Sequence, residues 1–315
     1  MTQHRFVRPL RVCALFLVVA TNLTLVIARE PLAKPAQGDS ESRDPAAQYR
    51  LARQYAKGEG VPRDPIKATE LLRQSAGQGY AAAQTDLAAA YANGSGVPQD
   101  YTQAARWYRK AAEQGDGIAQ YTLGRICLLG RGVPKDSKEA AKWLQAAADQ
   151  DLPDAMLGLG DLYLNGAEGL NPDFEQAFRW FSKAVEKGRI AGLNSLGFLY
   201  EHGSGVPRSL TRAVECFREA AEKGDARGQM NLGRMCLEGQ GIEKDVVEAY
   251  KWFCLALRNG ELVARHYIFE MQTHEELTEK QVTEAEQKVQ DYLKAHRRLS
   301  PQPFSQAGGS QASSG

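Results

Sequence analysis

Apolar residues recur along this chain at the spacing of an amphipathic α-helix. In one stretch, small and apolar residues fall at i, i+4, i+5 and i+8, which is one helix face: Ala83, Leu87, Ala88 and Tyr91. A second stretch follows a short polar loop and contains Ala104, Trp107, Tyr108, Ala111 and Ala112 at the same kind of spacing. The pattern predicts two helices joined by a loop, each with one apolar face to bury.

The loop between these helices has its own motif, Gly-x-Gly-Val-Pro-x-Asp. Gly94 and Gly96 are predicted to end the first helix, because glycine accepts the positive φ of a helix C-terminus. Pro98 cannot continue that helix, and Asp100 is placed to cap the N-terminus of the second. The motif recurs at residues 58–64, 130–136 and 203–207, and looser copies begin at Gly166 and Gly239.

The motif returns about every thirty-six residues, so six units extend from about Pro45 to Gly260. The fourth unit has one extra residue, between Gly166 and Gly169. A period of this size is typical of a stacked array in which each unit buries its apolar face on its neighbours. Regularly spaced acids are therefore interpreted as helix caps rather than catalytic groups; they are Asp64, Asp100, Asp136, Asp173 and Asp245.

The unit can be written A-x-x-x-L-G-x-x-Y-x-x-G-x-G-V-x-x-D-x-x-x-A-x-x-W-[YF]-x-x-A-A-x-x-G, and it resembles the Sel1-like repeat, a relative of the tetratricopeptide repeat. The resemblance covers about residues 45–260. It implies an all-α fold, a right-handed α/α superhelical solenoid of six helix-turn-helix repeats. It also implies a protein-binding adaptor, and bacterial members of the family are often exported to serve in envelope, secretion or host-interaction pathways.

The N-terminal end does not repeat and has the features of a targeting segment. Basic residues at positions 5, 8 and 11 precede an apolar run over residues 12–28, and no acid occurs before Glu30. Small residues near Ala28, or alternatively near Ala20, fit a cleavage site. Residues 1–28 are therefore predicted to be a signal peptide, which implies a periplasmic or secreted protein without membrane insertion after cleavage. An uncleaved membrane anchor and a mitochondrial presequence are the alternatives. Residues 29–44 are predicted to be a flexible linker.

The C-terminal end also departs from the period. Residues 278–281, Thr-Glu-Lys-Gln, have the form of a capping box, and apolar residues at helical spacing follow them. Residues 261–297 are predicted to form capping helices that close the open end of the array. Residues 298–315 are rich in Ser, Gln, Gly and Pro, which predicts a disordered tail.

Composition and motifs give little support for chemistry. The net charge of +1 lacks the basic excess of a nucleic-acid-binding protein. No Cys-x-x-Cys or Cys/His zinc spacing occurs, so neither a metal nor a cofactor is expected. Cys127, Cys216 and Cys236 replace core aromatic residues and are interpreted as small buried hydrophobes. A bridge from Cys216 to Cys236 or to Cys254 stays open as an alternative, although the cysteine-rich branch of the family pairs cysteines at fixed repeat positions that this chain does not follow.

A binding surface is expected where the units differ from one another. If the first helices line a concave face, as in tetratricopeptide proteins, the variable residues of units three to six would contact a protein or peptide partner. This candidate groove set combines apolar, aromatic and charged side chains, as interfaces do. It consists of Tyr121, Arg125, Leu157, Asp161, Asn194, Phe198, Met230 and Arg234.

The sequence therefore predicts an exported, non-enzymatic adaptor or scaffold that binds proteins through its groove. Two other functions are considered. One is a cell-envelope enzyme or enzyme regulator, for example a peptidoglycan-related hydrolase, which would require a converging acid/base pair in the groove. The other is a structural envelope protein that is anchored to the membrane by an uncleaved N-terminal segment.

Overall fold

A computed structural model describes residues 43–273 and 277–297, and within these ranges the chain forms fourteen α-helices. The signal-peptide prediction, nearly all of the linker and the C-terminal tail lie outside the described residues. The helices, in chain order, are α1 (Pro45–Lys57), α2 (Pro65–Gly77), α3 (Ala81–Asn93), α4 (Tyr101–Glu113), α5 (Gly117–Leu129), α6 (Ser137–Ala148), α7 (Pro153–Asn165), α8 (Phe174–Glu186), α9 (Ala191–His202), α10 (Leu210–Glu222), α11 (Ala226–Glu238), α12 (Val246–Arg258), α13 (Ala264–Thr273) and α14 (Glu279–Arg297).

The first twelve helices form six antiparallel pairs, which are the six predicted repeats. The predicted aspartate caps are confirmed, because each of the five accepts hydrogen bonds from backbone N–H groups in the first turn of a second helix. The loop glycines are equally constrained. Gly96 has a positive φ of 71°, and a Cβ on it would lie 2.0 Å from the carbonyl oxygen of Pro65 in the preceding repeat. The loops therefore pack one repeat against the next.

Each first helix packs on the second helix of its own repeat and on the second helix of the preceding repeat. The contact within repeats four, five and six places an aromatic ring over a glycine. A Cβ on Gly160 would lie 2.5 Å from Phe181, and Gly197 has the same relation to Phe217. Both phenylalanines are fully buried, so close helix approach and large side chains together fill the core.

Buried glutamines add a polar link between repeats. In repeats one, two, three and six, a first-helix glutamine accepts a hydrogen bond from an amide at the end of the second helix: Gln78 to Gln48, Gln114 to Gln84, Gln150 to Gln120 and Asn259 to Gln229, at 2.7–2.9 Å. The amide groups of Gln84, Gln120 and Gln229 also donate to a carbonyl oxygen of the preceding repeat. Each link satisfies polar groups in a buried position.

The chain is irregular in the middle of the fourth repeat and just before it. Its loop between α7 and α8 contains eight residues instead of seven, which agrees with the extra residue predicted there. A short antiparallel bridge between Ala167 and Leu170 closes this loop. Just before the repeat, Asp151 replaces the usual closing glycine and has a positive φ of 61°. The insertion is therefore absorbed in surface loops without disturbing the helix pairs.

The C-terminal helices continue and then end the array. In α13, Ala264 and Met271 are buried thirty-six residues after Gly228 and Met235, so α13 occupies the place of a seventh first helix. The side chain of Phe269, thirty-six residues after Gly233, is 62% exposed. Both α13 and α14 pack mainly against α12.

The cap helix α14 is fixed by polar contacts at several points. The capping box is confirmed, because the Thr278 backbone N–H donates to Gln281 and the Gln281 N–H donates to the Thr278 hydroxyl. Lys288 pairs with Glu248 of α12 at 2.8 Å, and the Tyr292 hydroxyl donates to the carbonyl oxygen of Ala221. Among the described helices, none is both long and apolar enough to cross a bilayer.

Candidate binding groove

The first helices form the more closely spaced layer of the array. Direct backbone contacts join α5 with α7 and α9 with α11, which are first helices of neighbouring repeats. A side-chain ion pair also joins first helices directly, because Arg234 of α11 contacts both oxygens of Glu201 of α9 at 2.7 and 2.9 Å. The close spacing places the first helices on the inner side of the curve, where a groove lies.

One position of the first helix points into this groove from every repeat. It is the ninth residue of each repeat, and it holds Arg53, Ala89, Arg125, Asp161, Phe198 and Arg234 in order. Arg125 and Asp161 are exposed, and 43% of Phe198 is exposed. Three consecutive repeats therefore present a cation, an anion and an aromatic ring from equivalent places.

Asp161 lies in a partly desolvated region of this surface. Its side chain is exposed, yet desolvation by the surrounding protein raises the pKa of its carboxyl group, against the opposing charge of Arg227. Desolvation disfavours the charged form of a carboxyl group, which is why its pKa rises. Arg227 belongs to α11, two repeats beyond Asp161, so side chains from alternate repeats converge here.

Arg234 occupies the same position in repeat six, but its charge is neutralised within the protein. It pairs with Glu201 and, at 3.4 Å, with Glu238. Burial lowers the pKa of the Arg234 guanidinium, but the hydrogen bond to Glu201 and the nearby carboxylates outweigh burial and raise it. Arg234 therefore links the first helices of repeats five and six.

Glu201 is the twelfth residue of its repeat, so the ninth residue of one repeat faces the twelfth residue of the repeat before it. The twelfth residue preceding Arg125 is Ala92, and the one preceding Asp161 is Leu128. Neither side chain can form an ion pair. This explains why the described residues contain no ion pair to Arg125 or Asp161.

The remaining groove residues of the sequence prediction lie between the helices. Tyr121, Leu157 and Met230 are partly buried and pack against the core clusters. Leu157 approaches Gly192 of the next repeat, where a Cβ would lie 3.4 Å from it. The Asn194 amide donates to the carboxylate of Asp225 at 2.6 Å. These four residues support the groove wall rather than face its open space.

Aromatic neighbours position two of the exposed groups. The Arg125 guanidinium lies over the Tyr121 ring, 5.6 Å from its centroid, which orients the cation without neutralising it. Phe198 stacks on His202 one turn later, at 4.2 Å between ring centroids. The aromatic partners restrict the rotamers of the groove side chains, so less conformational entropy remains to be lost on binding.

The groove changes character towards the N-terminus. Between repeats one and two, a cleft of about 230 Å³ has five alanines in its lining, together with the charged residues Arg53, Arg63 and Asp86. Alanine occupies the twelfth position in both repeats, whereas repeats three and four have Leu128 and Leu164 there. Small residues leave a cleft where leucine side chains would fill the space. This cleft was not predicted from the sequence.

The described residues contain no cluster of three or more His, Cys, Asp or Glu that could hold a metal ion. The four described cysteines are free thiols. Burial raises the pKa of Cys127, Cys216 and Cys236 to about 11 and that of Cys254 to about 12. A thiol with such a pKa is a poor nucleophile at neutral pH.

Sequence reasoning missed two features of this region. Arg227 lies in the first turn of α11 and was not part of the candidate groove set. It precedes Arg234 by seven residues, or two helical turns, so both residues lie on the same helix face. The glutamine links were also missed. The sequence did contain a signal for these links. The first-helix glutamine and the amide residue at the end of the second helix occur together in repeats one, two, three and six, and both are replaced in repeats four and five.

Comparisons with known proteins agree with this architecture. The Sel1 repeat family model matches residues 45–80, 81–116, 117–152, 153–188, 190–225 and 226–261. No curated protein matches the sequence. The chain is 30% identical to a Sel1 repeat protein from Oxalobacter formigenes, over 69% of this chain and 88% of that one, with a TM-score of 0.60.

A second solved structure is c5321, a protective antigen present in uropathogenic Escherichia coli strains that displays an SLR fold. It is 29% identical to this chain, with a TM-score of 0.53, over 85% of this chain and 66% of c5321. The chain therefore matches just under two thirds of the length of c5321.

Proposed function

Because this chain belongs to the Sel1 repeat family, we propose that it is an exported, non-enzymatic scaffold that binds a protein partner in the groove of repeats three to six. The Sel1 repeat solenoid is typically a scaffold for protein–protein interaction. The observation that carries the proposal is the exposed series Arg125, Asp161 and Phe198, which presents a cation, an anion and a ring from successive repeats. Charged groups without an ion pair among the described residues, next to an exposed aromatic ring, suit a protein surface of complementary charge.

The absence of an enzymatic role is supported by the chemistry of the groove. The groups there with shifted pKa values are Asp161 and Arg234, and an arginine in an ion pair is not a general base. A hydrolase would need an acid and a base within hydrogen-bonding reach of one reacting atom. Asp161 has no such partner among the described residues, which favours the scaffold over the enzyme.

Export is proposed from the N-terminal sequence, where basic residues precede the apolar run of residues 12–28. The similarity to c5321 is consistent with it, because that protein is a protective antigen. N-terminal sequencing of the mature protein tests this point. The expected result is a new N-terminus shortly after Ala28 or Ala20. An intact N-terminus recovered with the membrane fraction would support the anchored structural protein instead.

The groove is tested by reversing its charges. The double variant Arg125→Glu with Asp161→Lys should reduce capture of partner proteins from the native compartment at least about tenfold, because each charge would meet a like charge. Arg106→Glu is the matched control, since Arg106 is exposed on the second helix α4. All variants should keep the melting temperature of the parent protein. Unchanged capture by the folded double variant would exclude this groove as the binding surface.

A further inference from the structure

We infer that the groove recognises an extended segment of its protein partner, in which an acidic, a basic and an apolar side chain follow one another at intervals of about three residues. The inference rests on the proposed function, which it makes more specific. It assigns the acidic side chain to Arg125, the basic one to Asp161 and the apolar one to Phe198.

The interval follows from the packing of the array. Packed helices lie about 8–10 Å apart, and the first helices α5 and α7, which hold Arg125 and Asp161, are in direct contact. An extended peptide advances about 3.3 Å per residue. One repeat therefore corresponds to about three residues of the ligand. Because Arg125, Asp161 and Phe198 occupy equivalent positions, the ligand side chains that meet them have the same spacing.

The order of charges in the ligand follows from the groove charges that no ion pair neutralises. Ala92 and Leu128 stand where an ionic partner of Arg125 and of Asp161 would be, so both charges are available to a ligand. Tyr121 holds the Arg125 guanidinium in place, and a planar guanidinium binds a carboxylate through two hydrogen bonds. The Asp161 side chain is exposed, so its carboxylate attracts a basic side chain of the ligand, an attraction that the nearby charge of Arg227 reduces.

The ends of the recognised segment are also set by the array. Beyond Phe198, the equivalent position holds Arg234, which Glu201 and Glu238 already neutralise. Before Arg125, the equivalent position holds Ala89, which offers no functional group. Three repeats therefore specify three side chains. The structure does not favour either direction of the peptide chain, because side chains rather than backbone groups make the contacts.

Selection from a library of random peptides displayed on phage, with the full chain as bait, tests this inference. Selected peptides should be enriched in an acidic, a basic and an apolar residue three positions apart, in either chain direction. The charge-swapped variant Arg125→Asp with Asp161→Arg should select peptides in which the acidic and basic residues have exchanged places. Arg106→Asp, on α4, should select the same peptides as the parent.

Fluorescence polarisation with the selected peptides then separates the two proposals. A matched peptide should lose at least about tenfold in affinity on the charge-swapped protein and recover it when its own charges are exchanged. Peptides of another pattern that lose affinity on Phe198→Ala would overturn the charge order but leave the groove as the binding site. Peptides that no groove substitution affects would overturn both proposals. Recovery of no peptide would overturn the extended-segment inference, and partner capture would still test the groove.

Discussion

Repeats one to three and repeats four and five have the same helices but are held together differently. In the first three, paired glutamines link the two helices of each repeat. In repeats four and five, the equivalent residues are Met156 with Lys187 and Leu193 with Lys223, so both members of the link are replaced together. Met156 and Leu193 are buried, and because both side chains are apolar, they leave no unsatisfied polar group where the glutamine would be.

The difference separates two tasks within one array. The glutamine links fix neighbouring repeats by directional hydrogen bonds. The first three repeats have arginine or alanine as their ninth residue, the position that was assigned to the groove. Small residues contribute to the cleft between repeats one and two. Repeats four and five rely on the burial of large rings over glycine, and they hold Asp161 and Phe198. The repeats that depart from the regular pattern in their packing are therefore also the repeats that contribute most to the candidate binding surface.

The largest expected effect tests whether ring burial holds repeat four together. Phe181→Ala should lower the free energy of unfolding by about 3–5 kcal/mol, because it removes a fully buried ring and leaves a cavity beside Gly160. The matched control is Phe174→Ala on the same helix, which is 40% exposed and should cost less than about 1 kcal/mol. Urea unfolding followed by circular dichroism measures both. Equal costs would show that ring burial does not stabilise this repeat.

A smaller effect is expected from the glutamine link. Gln120→Ala should cost about 1–3 kcal/mol, because it removes two hydrogen bonds at a buried position. In a double-mutant cycle, Gln120→Ala and Gln150→Ala should show a coupling energy of about 0.5–1.5 kcal/mol. The equivalent pair in repeat four, Met156→Ala and Lys187→Ala, should show coupling near zero. Similar coupling in both repeats would remove the distinction between them.

The smallest effect concerns pH and the groove carboxylate. The pKa of Asp161 is raised in the folded protein, so protonation stabilises the fold at low pH and this contribution is lost as the pH rises through the raised pKa. Asp161→Asn should therefore be more stable than the parent at pH 7, by less than about 0.5 kcal/mol, and equal to it below the ordinary pKa of aspartate. Urea midpoints between pH 3.5 and 7 measure the difference.

Glu248 is a control, because its pKa is shifted in the opposite direction and its effect on stability has the opposite pH dependence. Burial raises the pKa of Glu248, but hydrogen bonds from Lys251 and Lys288 outweigh burial and lower it. Its stabilising contribution is present above the ordinary pKa of glutamate and is lost as the pH falls through the lowered value. Glu248→Gln should thus destabilise the protein at pH 7 and have little effect at low pH. The same trend for both variants would contradict the desolvated environment assigned to Asp161.

Much of the fold follows from the sequence, because its signals are local. The aspartate caps, the glycine stops and the capping box at Thr278 each depend on a few neighbouring residues, and the structure has them where they were predicted. The groove was predicted less completely. Arg125, Asp161 and Phe198 are exposed, and their role in binding stays a prediction, whereas the pairing of Arg234 with Glu201 depends on how far one repeat is offset from the next. That offset is a property of the stacked helices and has no local sequence signal.

Phe269 has a consequence for how such a protein can change in length over evolution. In each repeat, an alanine or glycine at this position lets the second helix approach closely, whereas a phenylalanine ring takes up that space in α13. A unit joined after α13 would meet a side chain that keeps its second helix away. Phe269 is therefore incompatible with a further repeat that packs on α13 in the same way.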